Sequence, residues 1–250
     1  MTDTVADVSD DTGTVMLAAR PQPLGAFGLP AGYLLIPAGQ DTEAARAALV
    51  GGRLPEQWPD RLEAYRRALA GDRDGALLAL TGDDPVSRYN RFVLDPDQAD
   101  PAAIRADLGE FAVLVDVVLF ALGRTDAAPE LDGHDGEIAA VVLAAQASAA
   151  LADGNHAAAV LLLDRAAELA GPVGRPLAGV LAGAAAGVCR DVEDPSALQR
   201  LERALGLLDD ADALRVARAE LHVNAAGVLH EQAAQRPELL PAAVPHYHSA

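Results

Sequence analysis

The sequence predicts an all-α chain in which antiparallel helix pairs stack on one another behind an irregular N-terminal cap. Three observations carry this expectation. From residue 41 onward, helix-start and helix-stop signals recur at short intervals. The links between the segments they delimit are short, which in a helical chain makes successive helices antiparallel neighbours. One alanine-based spacing returns in three of the later segments, each time along one helical face.

Residues 1–22 read as polar and flexible. Residues 23–40 mix Gly and Pro with apolar side chains, so they cannot be helical throughout but have reason to lie against something. A brief strand is expected around 33–36, and 1–40 together form the cap. Asp41 and Thr42 can open a helix over 43–50, stopped by Gly51-Gly52. Asp60 opens 61–70, with Glu63 at capping-box spacing, and Gly71 closes it. A further helix is expected over 74–80, meeting Gly82.

Asp-Pro then recurs at Asp84-Pro85, Asp95-Pro96, Asp100-Pro101 and Asp194-Pro195. An N-cap aspartate offers an acceptor to free amides, and proline at the first helical position forfeits no hydrogen bond. Asp84, Asp100 and Asp194 are expected to open helices, while Asp95-Pro96 lies in a loop. The later helices are expected over 101–123 with a break at Gly109, then 137–152, 156–170, 176–190, 195–208, 211–235 and from 237 onward. This divides the chain into a cap at 1–40, an N-terminal helical part at 41–136, and helical repeats at 137–250.

The repeat is read from alanines. Ala159, Leu163 and Ala166 stand at offsets zero, four and seven; Ala197, Leu201 and Ala204 repeat them, as do Ala243, Tyr247 and Ala250. A weaker copy is Ala76 and Leu80, with Asp83 at the last position. Those offsets share one helical face, where small residues admit a partner helix and the large one fills the space between. This pattern resembles the second helix of a tetratricopeptide repeat. Gly154-Asn155-His156 before Ala159, and Gly71-Asp72-Arg73 before Ala76, fall where that unit turns between its helices. Leu143, Ala147 and Ala150 take the first-helix positions, and Asn224 to Leu229 resemble the first helix of another unit. The resemblance is best over 137–250, weaker over 60–94 and absent over 1–58. The spacings of 38 and 46 residues between copies exceed the family's usual period of about 34. The pattern is still running at Ala250, without a stop signal, so further repeats or an effector part are expected beyond it.

Composition narrows the function. The 250 residues carry 19 Lys+Arg against 37 Asp+Glu, a net charge of −18. That balance argues against nucleic acid, whose binding rests on neutralising phosphates. Every basic residue is an arginine, as GC-rich coding in a bacterium would give. The apolar runs at 111–122, 138–152 and 176–189 are shorter than the roughly 20 residues a membrane span needs. The acidic N-terminus lacks the basic start of a secretory signal. A cytoplasmic location is expected. The lone Cys189 excludes an intramolecular disulfide and a thiolate zinc cluster and is expected to pack as a small apolar group.

Candidate chemistry is sparse. His222 and His230, eight residues apart, share roughly one helical face, and a second helix could bring His246 or His248 near them. Histidines that bind metal on a helix more often use i, i+4 pairs with carboxylates, so the chain's six histidines, His134 and His156 included, are read as solvated or groove-lining. The acidic stretch from Asp126 to Glu137 has the length of a calcium loop. It has Leu131 where such a loop needs glycine and Ala128 at its third position, so it is read as a solvated hinge. Asp116, inside the apolar run 111–120, needs an arginine from a neighbouring helix or a narrow polar edge facing water. No nucleophile–base order can be defended.

The resemblance implies recognition of a protein or peptide in a groove, with no catalytic activity and no cofactor or metal. Arg215, Arg218, His222 and Asn224, on the first helix of the last unit, are the candidate partner-binding residues, the arginines suited to a carboxylate. A homo-oligomer is compatible with this reading. The alternatives are a regulatory or small-molecule-sensing N-terminal region whose effector part is absent, and an all-α enzyme built on Asp116 and the C-terminal histidines.

Overall fold

The computed structural model describes residues 14–18, 23–24, 29–30, 33–37, 63–64, 67–68, 72–131, 133–134, 136–170, 175–208 and 215–250. The expected helix at 43–50 lies outside them, as does most of 61–70, where 63–64 and 67–68 are helical. In the cap, β1 (Thr14–Ala18) pairs antiparallel with β4 (Tyr33–Pro37), and β2 (Pro23–Leu24) with β3 (Leu29–Pro30). Residues 14–18 thus depart from the flexible segment expected at 1–22. The apolar stretch Val15-Met16-Leu17 stands in register with Leu34-Leu35-Ile36, a match of β-branched and apolar residues suited to a ladder.

From Asp72 on, every regular element among the described residues is helical. The first four helices are α1 (Arg73–Ala79), α2 (Pro85–Leu94), α3 (Pro101–Asp107) and α4 (Val113–Ala121). Strand β4 lies against α2. Aspartates open three of these helices. Asp72 accepts from the Gly75 amide at 2.9 Å, Asp84 from Ser87 at 3.1 Å and Asp100 from Ala102 at 3.0 Å. Asp95 makes no such cap; Pro96–Gln98 form a 3₁₀ turn, and Asp95 pairs with Arg73 at 3.3 Å. The break expected at Gly109 is real. Its φ of +55° is left-handed, which ends α3 and leads through a 3₁₀ turn at Gly109–Ala112 into α4.

Six further helices follow: α5 (Gly136–Ala152), α6 (His156–Ala170), α7 (Arg175–Asp191), α8 (Ala197–Leu207), α9 (Arg215–Ala233) and α10 (Leu240–Ser249). Each packs mainly against the helix before and after it. Between α5 and α6 the chain turns in three residues. Gly154 takes a φ of +73° there, and the Asn155 side chain accepts from the Ala158 amide at 3.2 Å. Between α7 and α8, Glu193 takes a φ of +57° and Asp194 accepts from Ser196 at 2.7 Å, so the expected Asp194 cap works from just outside the helix. Links this short leave two packed helices no orientation but antiparallel.

Two apolar clusters share α5. Val141, Val142 and Ala145 join a cluster built on Tyr89, Phe92, Ile104 and Leu114. Ala140, Leu143, Ala144 and Ala147 join one that runs through α6, α7, α8 and α9. Residues Ala139 to Ala145 are all buried, which is why α5 reads as apolar all round. The expected boundary at 136–137 therefore falls at the start of a helix that serves both clusters.

The alanine spacing has a physical counterpart. Ala159, Leu163, Ala166, Ala197, Leu201 and Ala204 are all at most 2% exposed. In the third copy Ala243 is buried but Tyr247 is 51% exposed. Helix α6 is packed by α5 and α7, and α8 by α7 and α9, whereas α10 is packed by α9 and the turn before it. Small residues set the spacing along α7 as well. A Cβ on Gly179 would fall 2.5 Å from Leu208 Cδ2, and one on Gly183 would fall 2.9 Å from Leu221 Cδ2. Among the described residues, no helix is long and apolar enough to cross a membrane.

Candidate functional site

Helix α9 carries the four residues singled out in the sequence, and its apolar side fixes how they are presented. Leu221, Ala225 and Val228 turn into the larger cluster, leaving Val223 exposed between half-buried His222 and Asn224. Arg215 opens the helix, and its side chain lies outside the described set. Arg218 donates from Nη1 to the Leu208 carbonyl at 2.6 Å. That carbonyl belongs to the C-cap of α8, where a cation also meets the negative end of the helix dipole.

His222, one turn beyond Arg218, meets His246 of α10. Their Nδ1 atoms are 3.0 Å apart and the ring centroids 5.3 Å apart, with the rings tilted by 47°. Burial lowers the His222 pKa below the usual histidine value, and the charges of His246 and Arg218 push the same way. Asn224 faces elsewhere: its Oδ1 accepts from Arg190 Nη1 of α7, and Arg190 also donates to Asp191 from Nη2 at 2.7 Å. The structure therefore gathers Arg218 and His222 with His246, and separates Asn224 from them.

A second polar tie was not singled out in the sequence. Arg200 of α8 donates from Nη1 to both carboxylate oxygens of Asp164 on α6, at 2.5 and 2.8 Å, with both side chains under a third exposed. The carboxylate raises the Arg200 pKa further above its ordinary value. The aligned copies held the signal: an aspartate five residues after Ala159 and an arginine three residues after Ala197, opposite charges on opposite flanks of the shared alanine–leucine–alanine face, as two helices lying side by side require. Together, Asp164–Arg200 joins α6 to α8 and Arg190–Asn224 joins α7 to α9, so each tie skips one helix.

The remaining candidates have structural partners. Asp116 is gripped by both terminal nitrogens of Arg105 from α3, one of them at 2.6 Å. Burial raises the Asp116 pKa, and Arg105 opposes the shift. Cys189 is buried beside the α8 helix, and desolvation raises its thiol pKa. In the 126–137 stretch, Gly133 and Gly136 take left-handed φ values of +78° and +53°. Among the described residues, no three His, Cys, Asp or Glu side chains converge as a metal site. No protein-family model, curated protein or solved structure matches this chain.

Proposed function

We propose that this chain is a protein- or peptide-binding scaffold, its helix pairs α5–α6, α7–α8 and α9–α10 stacked in the manner of tetratricopeptide repeats. The pair of ties that skip a helix carries the reading. In a stack of hairpins, first helices lie beside first helices and second beside second, and Arg190–Asn224 and Asp164–Arg200 join those two layers respectively. The twice-buried alanine–leucine–alanine set supports the same arrangement. Such an array buries its faces against its own neighbours and leaves an extended surface for a partner.

On this reading the partner is a protein or peptide met in the cytoplasm, not nucleic acid or membrane. The chain contributes binding without catalysis, metal or cofactor. Val223, 52% exposed and flanked by His222 and Asn224, marks the presented side of α9. The test is affinity capture from source-cell lysate by the full chain and by Val223→Glu, at low and high salt, read by mass spectrometry. The scaffold reading expects a partner that the wild-type chain retains at high salt and the variant loses, with circular dichroism unchanged. Recovery of only salt-sensitive basic proteins, held equally by both chains, would contradict it.

A further inference from the structure

Helix α10 is attached to the rest of the chain through a thin interface. Of its residues only Ala243 is buried, while Leu240, Val244 and Tyr247 are each about half exposed. On the other side, His222, Ala226 and Leu229 stand at offsets zero, four and seven along α9. Ala226 and Leu229 are buried but belong to neither large apolar cluster. That stripe is the part of α9 that faces α10, and its polar member is the histidine in contact with His246.

We propose that the His222–His246 pair is a proton-sensitive latch that holds α10 on the His222–Ala226–Leu229 stripe at neutral pH and lets it go in acid. At an Nδ1–Nδ1 distance of 3.0 Å, one ring donates N–H and the other accepts with its lone pair. One extra proton on the pair preserves that bond. A second places N–H on both facing atoms, deletes the acceptor and sets two like charges against each other.

The surroundings add to this effect. On α9 itself, Arg218 lies one turn from His222. On α10, the only charged group acting on His222 is His246, and His248 lies on the far side of that helix. The turn between them holds Arg236 and Glu238, paired with each other at 3.5 Å. Toward α8, Arg218 is directed at the Leu208 carbonyl; toward α7, Arg190 and Asp191 sit at the Asn224 face. Among the described residues, His246 and Arg218 are the charges acting on His222, and both disfavour its protonation.

The direction follows from proton counts. Released, each ring is free to take a proton; docked, the Nδ1–Nδ1 contact holds one proton between the rings and refuses a second. The released state binds more protons, so docking weakens as the pH falls through the range in which an ordinary imidazole is protonated. One proton of difference gives up to about tenfold per pH unit.

The experiment is backbone hydrogen exchange on the full chain between pH 7.5 and 5.0, expressed as protection factors, with EDTA present throughout. The latch predicts that protection over 240–249 falls about tenfold or more across this range while α5 to α8 keep theirs. His246→Asn places an amide near the Nδ1 position without a second titrating ring, so it should remove the step, whereas His248→Asn should keep it. Circular dichroism at pH 7.5 establishes that each variant is folded. An α10 protection that stays constant in the wild-type chain, or a step that survives His246→Asn, overturns the latch. So does a stoichiometric rise in α10 protection on adding zinc without EDTA, since the pair would then be a metal site.

Discussion

Three glycines on one face of α7 allow the closeness of the helix packing to be measured with a single kind of substitution. Gly179, Gly183 and Gly187 follow one another at four-residue steps, so replacing each by alanine adds the same methyl group to the same helix. In a helix interior, Gly→Ala contributes about 0.5–1 kcal/mol through the backbone entropy that glycine otherwise loses. At Gly187 nothing lies within 4 Å of the new Cβ, so that gain should appear in full. For a chain of this size it corresponds to a rise in Tm of about 1–4 °C.

At Gly183 the Cβ meets Leu221 Cδ2 at 2.9 Å, the end of a flexible side chain, and gain and strain should roughly cancel. Gly179 is different. Its Cβ meets Leu208 at 2.5 and 2.8 Å and Leu207 Cβ at 3.3 Å, two contacts under 3 Å where Gly183 has one, and Leu208 is the more deeply buried of the two leucines. Overpacking of that kind costs about 1–3 kcal/mol, leaving Gly179→Ala about 1 kcal/mol less stable than wild type. Thermal and urea denaturation of the three variants should give the stability order Gly187→Ala, Gly183→Ala, Gly179→Ala. If Gly179→Ala stabilises the protein as much as Gly187→Ala, α8 does not approach α7 as closely as described and the packing argument fails.

Other perturbations separate the layers of the account. Leu201→Ala, at a fully buried position between two alanines, should cost about 2–5 kcal/mol in urea denaturation, whereas Tyr247→Ala at the equivalent but half-exposed position should cost less than about 1. Asp116→Asn tests the pH dependence of a half-buried carboxyl. Because burial raises the folded pKa, the native state binds more protons than the unfolded one between 3.8 and that raised value, so the contribution of Asp116 to stability falls as pH rises through that window. The difference in Tm between Asp116→Asn and wild type should therefore grow in the variant's favour from pH 3.5 to 7; a difference that does not change with pH would show that Arg105 fully offsets burial.

The helices were legible where a local rule decides them. Asp84-Pro85 and Asp100-Pro101 announce helix starts whatever surrounds them, and Gly109 and Gly154 adopt the left-handed conformations that glycine permits. The alanine spacing forecast burial at Leu163 and Leu201 because a helix face is set by offsets within eight residues. Tyr247 departs from it, since burial there depends on a covering helix rather than on the pattern itself. The strand at 33–36 was legible, but its pairing with β1 was missed because the partner lies about twenty residues away, in a stretch read as polar and flexible. Arg218, His222 and Asn224 were placed on one helix correctly, but Asn224 lies about 200° around from His222, and only the positions of α7 and α10 decide what each meets. His246 could not be chosen over His248 until the turn at Pro237–Leu239 fixed which side of α10 faces α9.

The central structural claim is that α6 to α9 stack so that each helix also touches its second neighbour. A double-mutant cycle on Asp164 and Arg200, 36 residues apart in sequence, tests it most directly. Urea denaturation of Asp164→Ala, Arg200→Ala and the double variant isolates the coupling between the two groups. A half-buried pair joined by two short hydrogen bonds should couple by about 1 kcal/mol, between the value of an exposed pair and that of a buried one. Additive losses, with no coupling beyond about 0.3 kcal/mol, would mean that α6 and α8 are not held side by side and would contradict the stacked arrangement.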